Sequence, residues 1–486
     1  MLRNRALFFL VLVSALASSS CTLHRPSGGG GGGGGGNNAS VSLTISDSPS
    51  ANTSVMSFTL PILGVTLTPS SGSAVSLFSP SAAANFELTR LQSDSALVAT
   101  NASVPPGTYT SLKVTVAAAS AVLFNGSSVA IGSCASGTVC SISGNAATIT
   151  FSFTSPLNLT PNQNQLLDLD FNYNNAVVST NTSINIDLTQ PNVLSTLTAP
   201  LTGVPSGDFA NVDDFTGQVT AISGSSITVK STLRGSLTAS INSSSIMVND
   251  PQSQCTGGAS FACVSKGSVV SLQGVLTSTG ALDGTGLDVI DASTTPADEV
   301  EGTIYTNGSC SSGFGLIVGD SSIFTSGSPL ASASFGSKLC LTLGPTATFT
   351  VDDGILTNQG VPITGFGSSG DLFAGQTIRA NVASAISGTS GVTVTASELL
   401  LRFSRLTAPV NSISGSTFTV TSLPAYFAAT PTTTPSVQTY INATLFEGVT
   451  TGVAGLSTGQ TVSISALFLN PTTQPQPFQA AKVRAP

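Results

Sequence analysis

The sequence predicts an all-β chain of tandem antiparallel β-sandwich and small β-barrel domains, on three observations. From Val41 onward, short β-branched and apolar runs alternate with period two, as in Val41-Ser42-Leu43-Thr44-Ile45, Ile149-Thr150-Phe151-Ser152-Phe153 and Ile184-Asn185-Ile186-Asp187-Leu188; this is the pattern of half-buried strands. Between these runs stand clusters of Ser, Thr, Gly and Asn that supply turns. No stretch holds a helical period for more than a turn or two. At 486 residues the chain is too long for one core and suits several domains.

Composition narrows the function classes. Only 7% of residues are charged while 40% are hydrophobic, which argues against a disordered chain. Fourteen Lys and Arg stand against 22 Asp and Glu, for a net charge of −8, so no basic surface is on offer to phosphates and nucleic acid is excluded as a partner. There is no Trp and one His, His24. Most metal and acid–base chemistry therefore has no residues to work with.

The elements follow in chain order. Arg3 and Arg5 precede the apolar run Ala6 to Ala17, and Ser18, Ser19 and Ser20 lead to Cys21; this is the layout of an export signal over residues 1–20, too short to span a membrane. The segment resembles a bacterial lipoprotein signal, which implies that Cys21 is the lipid attachment point and the first mature residue. Thr22, in place of an Asp after that cysteine, implies by the same resemblance the outer membrane, periplasmic or surface-exposed. Ordinary secretion with cleavage after Ala17, at Ala15-Leu16-Ala17, is the alternative. Residues 21–40 then form a tether holding nine consecutive glycines, Gly28 to Gly36, and such a run is flexible coil.

Besides Cys21, six cysteines fall as three close couples, Cys134 with Cys140, Cys255 with Cys263 and Cys310 with Cys340. An exported protein would most simply pair them that way as disulfides, leaving Cys21 for the anchor. Zinc is a poor alternative, because the spacings are too wide and no His lies in the folded part to complete a site.

The first folded domain is expected over residues 41–200. Within it Asn125-Gly126, set between Ala121-Val122-Leu123-Phe124 and Val129-Ala130-Ile131, predicts a tight hairpin. The second half repeats. Val219 to Val229 reads VTAISGSSITV and Val410 to Val420 reads VNSISGSTFTV, identical at seven of eleven positions. A weaker copy runs from Val300-Glu301-Gly302-Thr303-Ile304 to Phe314-Gly315-Leu316-Ile317-Val318. Each unit closes alike, through Lys266-Gly267-Ser268-Val269-Val270, Ala374-Gly375-Gln376-Thr377-Ile378 and Thr458-Gly459-Gln460-Thr461-Val462. Units of this length are independent domains rather than solenoid repeats, expected as barrels over residues 213–293, 298–404 and 405–486.

These three units resemble domain-of-unknown-function family 5666, through the V-x-x-I-S-G-x-x-x-T-V hairpin, the later G-x-x-V strand and the closing strand. The first domain resembles domain-of-unknown-function family 4382, through Leu43-Thr44-Ile45-Ser46-Asp47-Ser48-Pro49 and Val104-Pro105-Pro106-Gly107-Thr108-Tyr109, with Phe86-Glu87-Leu88 and Leu167-Asp168-Leu169-Asp170-Phe171 fitting further strands. The resemblances imply a bacterial envelope lipoprotein with no established activity.

A search for chemistry finds little. No S-x-x-K arrangement or G-x-S-x-G elbow occurs, and Gly365-Phe366-Gly367-Ser368-Ser369-Gly370 is followed by a strand-like run where dinucleotide binding needs a helix. Asp168 and Asp170, two apart on one strand, share a face opposite Leu167, Leu169 and Phe171. They are the candidate calcium ligands or glycosidase pair, with Asn172 and Asn174 continuing the face, while the plain reading is a solvated strand face. Asp213 and Asp214, and Asp298, Glu299 and Glu301, sit at domain joins and are read as solvating linkers. The expectation is a non-catalytic, cofactor-free, lipid-anchored binding or spacer module for glycans or an envelope protein. A structural or adhesion component without a small ligand is the alternative, ahead of a secreted calcium-dependent module or glycosidase.

Overall fold

The computed structural model describes residues 37–485 except 49–53, 181–182, 202–209, 243, 306–309, 311–312, 355, 357–360, 362, 389–390, 428–434 and 473. The signal segment, most of the tether and Cys21 lie outside the described residues. The regular structure among the described residues is mostly strand, with the short α-helical turn Tyr173–Ala176 and several 3-10 turns.

Residues 39–200 form a sandwich. One sheet orders Leu194–Pro200, Asn164–Phe171, Ala39–Asp47 and Ala96–Val104, with the two central strands parallel. The other centres on Val55–Pro69, flanked by Ser120–Phe124 with Val139–Ser143 on one side and Gly107–Val116 with Ala147–Leu159 on the other. Period two places Val41, Leu43, Ile45, Leu167, Leu169 and Phe171 between the sheets, against Phe58, Leu60, Leu112 and Val114, all buried in one core. The hairpin expected at Asn125-Gly126 is not formed. Ser120–Phe124 pairs instead with Val139–Ser143, because Asn125 organises the intervening loop, its Nδ2 donating to the carbonyls of Val129 and Cys134.

Three barrels follow, and they share one pairing scheme. In the first, Asn211–Ser223 pairs antiparallel with Ser226–Ser231 and Val269–Leu276. Ser226–Ser231 continues to Gly235–Ile241, and Val269–Leu276 to Leu282–Asp291. A parallel pairing of Gly235–Ile241 with Leu282–Asp291 closes the ring, giving a five-stranded barrel, with Met247–Asn249 added along Leu282–Asp291. The second barrel repeats this with Glu299–Tyr305, Phe314–Ser322, Lys338–Val351, Thr377–Gly388 and the strand Gly391–Ser414, again closed by a parallel pair. The third uses the end of Gly391–Ser414 with Thr417–Val420, Ser436–Gln438, Thr461–Phe468 and Phe478–Arg484.

The repeat seen in sequence is therefore the first hairpin of the barrel. Val219 faces Val229 and Val410 faces Val420 across it, and Gly224 and Gly415 hold positive φ in the turns, where a side chain would be strained. The closing motif is fixed by one reciprocal pair of backbone hydrogen bonds in each barrel. Val219 donates to Ser268 and accepts from Gly267, Ile304 donates to Gln376 and accepts from Gly375, and Val410 donates to Gln460 and accepts from Gly459. That correspondence aligns the three barrels residue by residue.

No linker separates the second barrel from the third. The expected join at Arg405 falls inside the 24-residue strand Gly391–Ser414, which closes one barrel and opens the next. The cysteines stand as expected couples, with Cα separations of 5.7 Å for Cys134–Cys140, 5.5 Å for Cys255–Cys263 and 5.6 Å for Cys310–Cys340, inside the disulfide range.

The domains pack on one another. Met56, Val122 and Phe124 of the sandwich join Tyr305, Ile317 and the core of the third barrel in one apolar cluster. The outer face of the sheet holding Ala39–Asp47 is covered as well. Ser42, Thr44, Ser46 and Asp168 are all fully buried, Leu166 packs with Leu201, Ala210 and Leu276, and Asn164 Nδ2 donates to the Ser278 carbonyl at 2.8 Å.

Candidate functional site

The expected carboxylate pair is not a solvated face. Asp168 is fully buried, its oxygens accepting from the hydroxyls of Thr44 at 2.7 Å and Ser46. Burial pushes its pKa up to about 7, the two hydroxyls and Arg484 opposing and Asp170 adding to the rise. Asp47 is raised well above the usual range by burial and by Asp170. Asp170 accepts from Ser195 Oγ at 2.9 Å. The strand ends at Phe171, and Asn172 caps the helical turn by accepting from the Asn175 amide, so Asn172 and Asn174 do not extend the face. Among the described residues no group of three or more His, Cys, Asp or Glu could hold a metal ion. The pair reads as solvated in sequence because period two reports a polar face and not what covers it; here a barrel does.

The charges at the joins give the larger correction. Asp213, Asp214, Asp298, Glu299 and Glu301 do not solvate linkers. All but Asp298 enter a buried ionic hub to which all four domains contribute. Asp214 accepts from Arg90 at 2.6 Å, from Arg405 at 2.9 Å and from Arg402. Glu301 meets Arg90, Arg379 at 3.4 Å and Arg402 at 3.6 Å. Arg379 also holds Glu299, and Arg402 holds Asp352. Arg405 pairs with Asp94 at 2.9 Å, and Lys482 joins Asp213 at 2.7 Å, Asp94 at 3.4 Å and Glu447 at 3.3 Å. Arg234 completes the set with Asp320 at 3.0 Å. Asp298 accepts instead from the backbone amides of Phe324 and Thr325.

Barrel correspondence explains why these residues meet. Counting back from Val219, Ile304 and Val410, the cross-strand pairs Thr216–Ser271, Glu301–Arg379 and Thr407–Ser463 occupy one register position in three barrels. Each faces the hub. Arg402 Nη2 reaches Thr216 and Ser271, and Thr407 donates to Gln92 of the sandwich and bonds Ser463. Two places further back stand Asp214, Glu299 and Arg405. Asp214 sits at a register shift between Val212 and Phe215 with φ +52°; such a bulge re-aims a side chain.

Electrostatics follow the geometry. Burial alone would raise Asp214, but the guanidiniums of Arg402, Arg90 and Arg405 hold it well below the usual carboxylate range. Glu301, raised by burial and pulled down by Arg90, Arg402 and Arg379, rests at about 2. Asp94 is lowered by Arg405 and Lys482 against its burial. Arg234 differs, since burial lowers its pKa and the attraction of Asp320 does not restore it.

Beside the hub, the sandwich and the first barrel leave a cleft. Phe86, Leu91 and Leu97 form one wall and Val212, Phe215 and Leu237 the other, with Arg90, Arg234, Arg405, Asp94 and Asp213 among the polar residues lining it. The Arg234 guanidinium lies 4.7 Å from the centroid of the Phe215 ring. A mostly apolar cleft at a domain junction with a few convergent polar groups is the usual form of a small-molecule site. Sequence reasoning missed hub and cleft alike; the available signal was that a chain poor in charge concentrates its charges at the joins. No curated protein matches the chain. Residues 38–189, the region of the sandwich, match the family described as Domain of unknown function (DUF4382).

Proposed function

We propose that this protein is a lipid-anchored envelope protein, tethered to the outer membrane through Cys21, whose sandwich and three barrels of the 5666 type act together as a non-catalytic binding module for glycans or a protein partner. One observation carries the anchor. Six cysteines stand in three couples at disulfide distance, which suits an oxidising compartment, and Cys21 remains, placed directly after an apolar export signal. Binding is favoured over a passive spacer because the domains are packed against one another around the hub rather than strung on linkers, and because that packing creates a cleft. A structural or adhesion role is the second reading, favoured by the drawing of six of the 14 basic residues into the hub, away from a Ser- and Thr-rich exterior.

Mass spectrometry of the mature N-terminus tests the anchor. A diacylglyceryl group on Cys21 is expected, and a free N-terminal Ser18 would overturn it. Glycan-array binding by the full chain separates the binding reading from the structural one.

A further inference from the structure

The hub treats its guanidiniums unequally. Arg90, Arg379 and Arg405 each meet two carboxylates and Arg402 meets three. Arg234 meets one, Asp320, through Nε. Its Nη2 donates to the Asp214 carbonyl at 2.6 Å, and Nη1 makes no hydrogen bond among the described residues. Unlike its neighbours it is partly exposed, 17% of its side chain reaching solvent. It lies over Phe215 at the edge of a cleft whose walls are apolar. A partly buried guanidinium that meets one carboxylate and keeps an N–H without a hydrogen bond favours a further anion, in the planar geometry that carboxylates match.

We propose that the cleft between the sandwich and the first barrel binds a small amphipathic monocarboxylate, its carboxylate on Arg234 and its apolar chain between Leu97 and Phe86 on one side and Phe215 and Leu237 on the other. The cavity is small, about 50 Å³, below the volume of drug-sized sites, so the ligand must be short and keep the end of its chain in the open mouth. A strongly charged ligand does not fit. Asp94 and Asp213 also line the cleft and would repel a second negative group, whereas one carboxylate on Arg234 with an apolar body away from the acids satisfies both walls. This deepens the binding-module reading and rests on it, but it does not depend on the anchor.

The test is isothermal titration calorimetry on the full chain carrying Cys21→Ser, with hexanoate as the probe. Saturable binding of hexanoate is expected, with hexanol, which has the chain without the charge, weaker by about tenfold or more. Leu97→Trp fills the cleft without touching an ion pair and should abolish binding; since Leu97 also packs against the first-barrel core, a far-UV spectrum unchanged from the parent and a retained cooperative melt are the check that the variant is folded. Arg234→Lys keeps the charge beside Asp320 but loses the planar donor set, and should weaken hexanoate and leave hexanol unchanged. Absence of saturable binding up to roughly 10 mM overturns the proposal, as does equal affinity in Leu97→Trp or for hexanol. Failure here with a lipidated Cys21 would refute the ligand and leave the anchor standing; unlipidated Cys21 with hexanoate bound would do the reverse.

Discussion

Arg402 and Arg405 lie three positions apart on the strand Gly391–Ser414, one in the barrel it closes and the other in the barrel it opens, and both end on the carboxylate of Asp214 in a third barrel. Arg90 of the sandwich reaches the same carboxylate. One side chain thus neutralises three cations from three domains, and its removal leaves each with less than its charge requires.

Asp214→Ala is accordingly expected to destabilise the whole chain by about 3 to 5 kcal/mol, the cost of breaking buried ion pairs by deleting one partner. The loss should appear in urea denaturation as a lower midpoint for one transition shared by near-UV and far-UV signals, since the domains meet at the hub. A loss confined to a separate first-barrel transition would contradict the shared hub.

The pH dependence has two limbs of opposite sign. Glu301, held at about 2, and Asp214, held lower than usual, contribute stability that is present above their unfolded pKa values, near 4, and lost as pH falls through the folded ones. Asp168, raised to about 7, acts the other way. Its unfolded form ionises first, so its contribution is full below about pH 4 and is lost as pH rises to about 7, at most about 4 kcal/mol by linkage. Asp170 and Arg484 are the charged groups acting on it. Maximal stability is expected on the acidic side, near pH 4 to 5. Asp168→Asn should flatten the decline between about pH 4 and 7 and cost little at pH 8, measured by thermal melting across pH. A variant whose melting follows the parent across that range would refute the buried neutral acid.

The strands and the repeat were legible because they are local. Period two in Val41 to Ile45 or Leu167 to Phe171 depends only on which side of the strand is apolar, and the hairpin Val219 to Val229 carries its own turn glycine. What period two leaves open is the fate of the other face. Ser42, Thr44, Ser46 and Asp168 are polar in sequence and fully buried in the fold, because a separate barrel, beginning at Asn211, packs over them. The hub was illegible for the same reason. Glu301, Thr216 and Thr407 are unlike in chemistry, and only the shared register of three barrels shows that they hold one position. Asn125-Gly126 misled in the opposite direction, its local turn signal yielding to an Asn side chain that bonds along a longer loop.

The three cysteine couples give a prediction free of the hub. Non-reducing peptide mapping of exported protein should recover Cys134–Cys140, Cys255–Cys263 and Cys310–Cys340 as intradomain links. In the loop-entropy account, the closure of Cys134–Cys140, six residues apart, stabilises by at most about 2.4 kcal/mol and that of Cys310–Cys340, thirty apart, by about 3.7 kcal/mol. Cys310→Ser with Cys340→Ser should therefore lower stability more than the corresponding change at Cys134 and Cys140; the reverse order would point to links across domains.

The barrels also fix a glycine by close approach. A Cβ on Gly302 would stand 2.1 Å from the Ile317 carbonyl oxygen, and one on Gly217, its counterpart in the first barrel, 2.4 Å from that of Lys230. Both oppose the strand that follows the closing motif, Gly302 at Ile378 and Gly217 at Val270. In the third barrel the same position, opposite Val462, is Ala408, fully buried, so there the strands already accommodate a methyl group. Gly302→Ala is expected to cost about 1 to 3 kcal/mol by overpacking against backbone that cannot rotate away, and Gly217→Ala a similar amount. Ala408→Gly should cost only the backbone entropy of a strand glycine, about 0.5 to 1 kcal/mol, together with a small cavity. Gly367→Ala is the control, since a Cβ there meets nothing within 4 Å. Melting temperatures of the four variants check the order; if Gly302→Ala melts with the control, the strands separate easily at that point and the tight ring closure assigned to the second barrel is wrong.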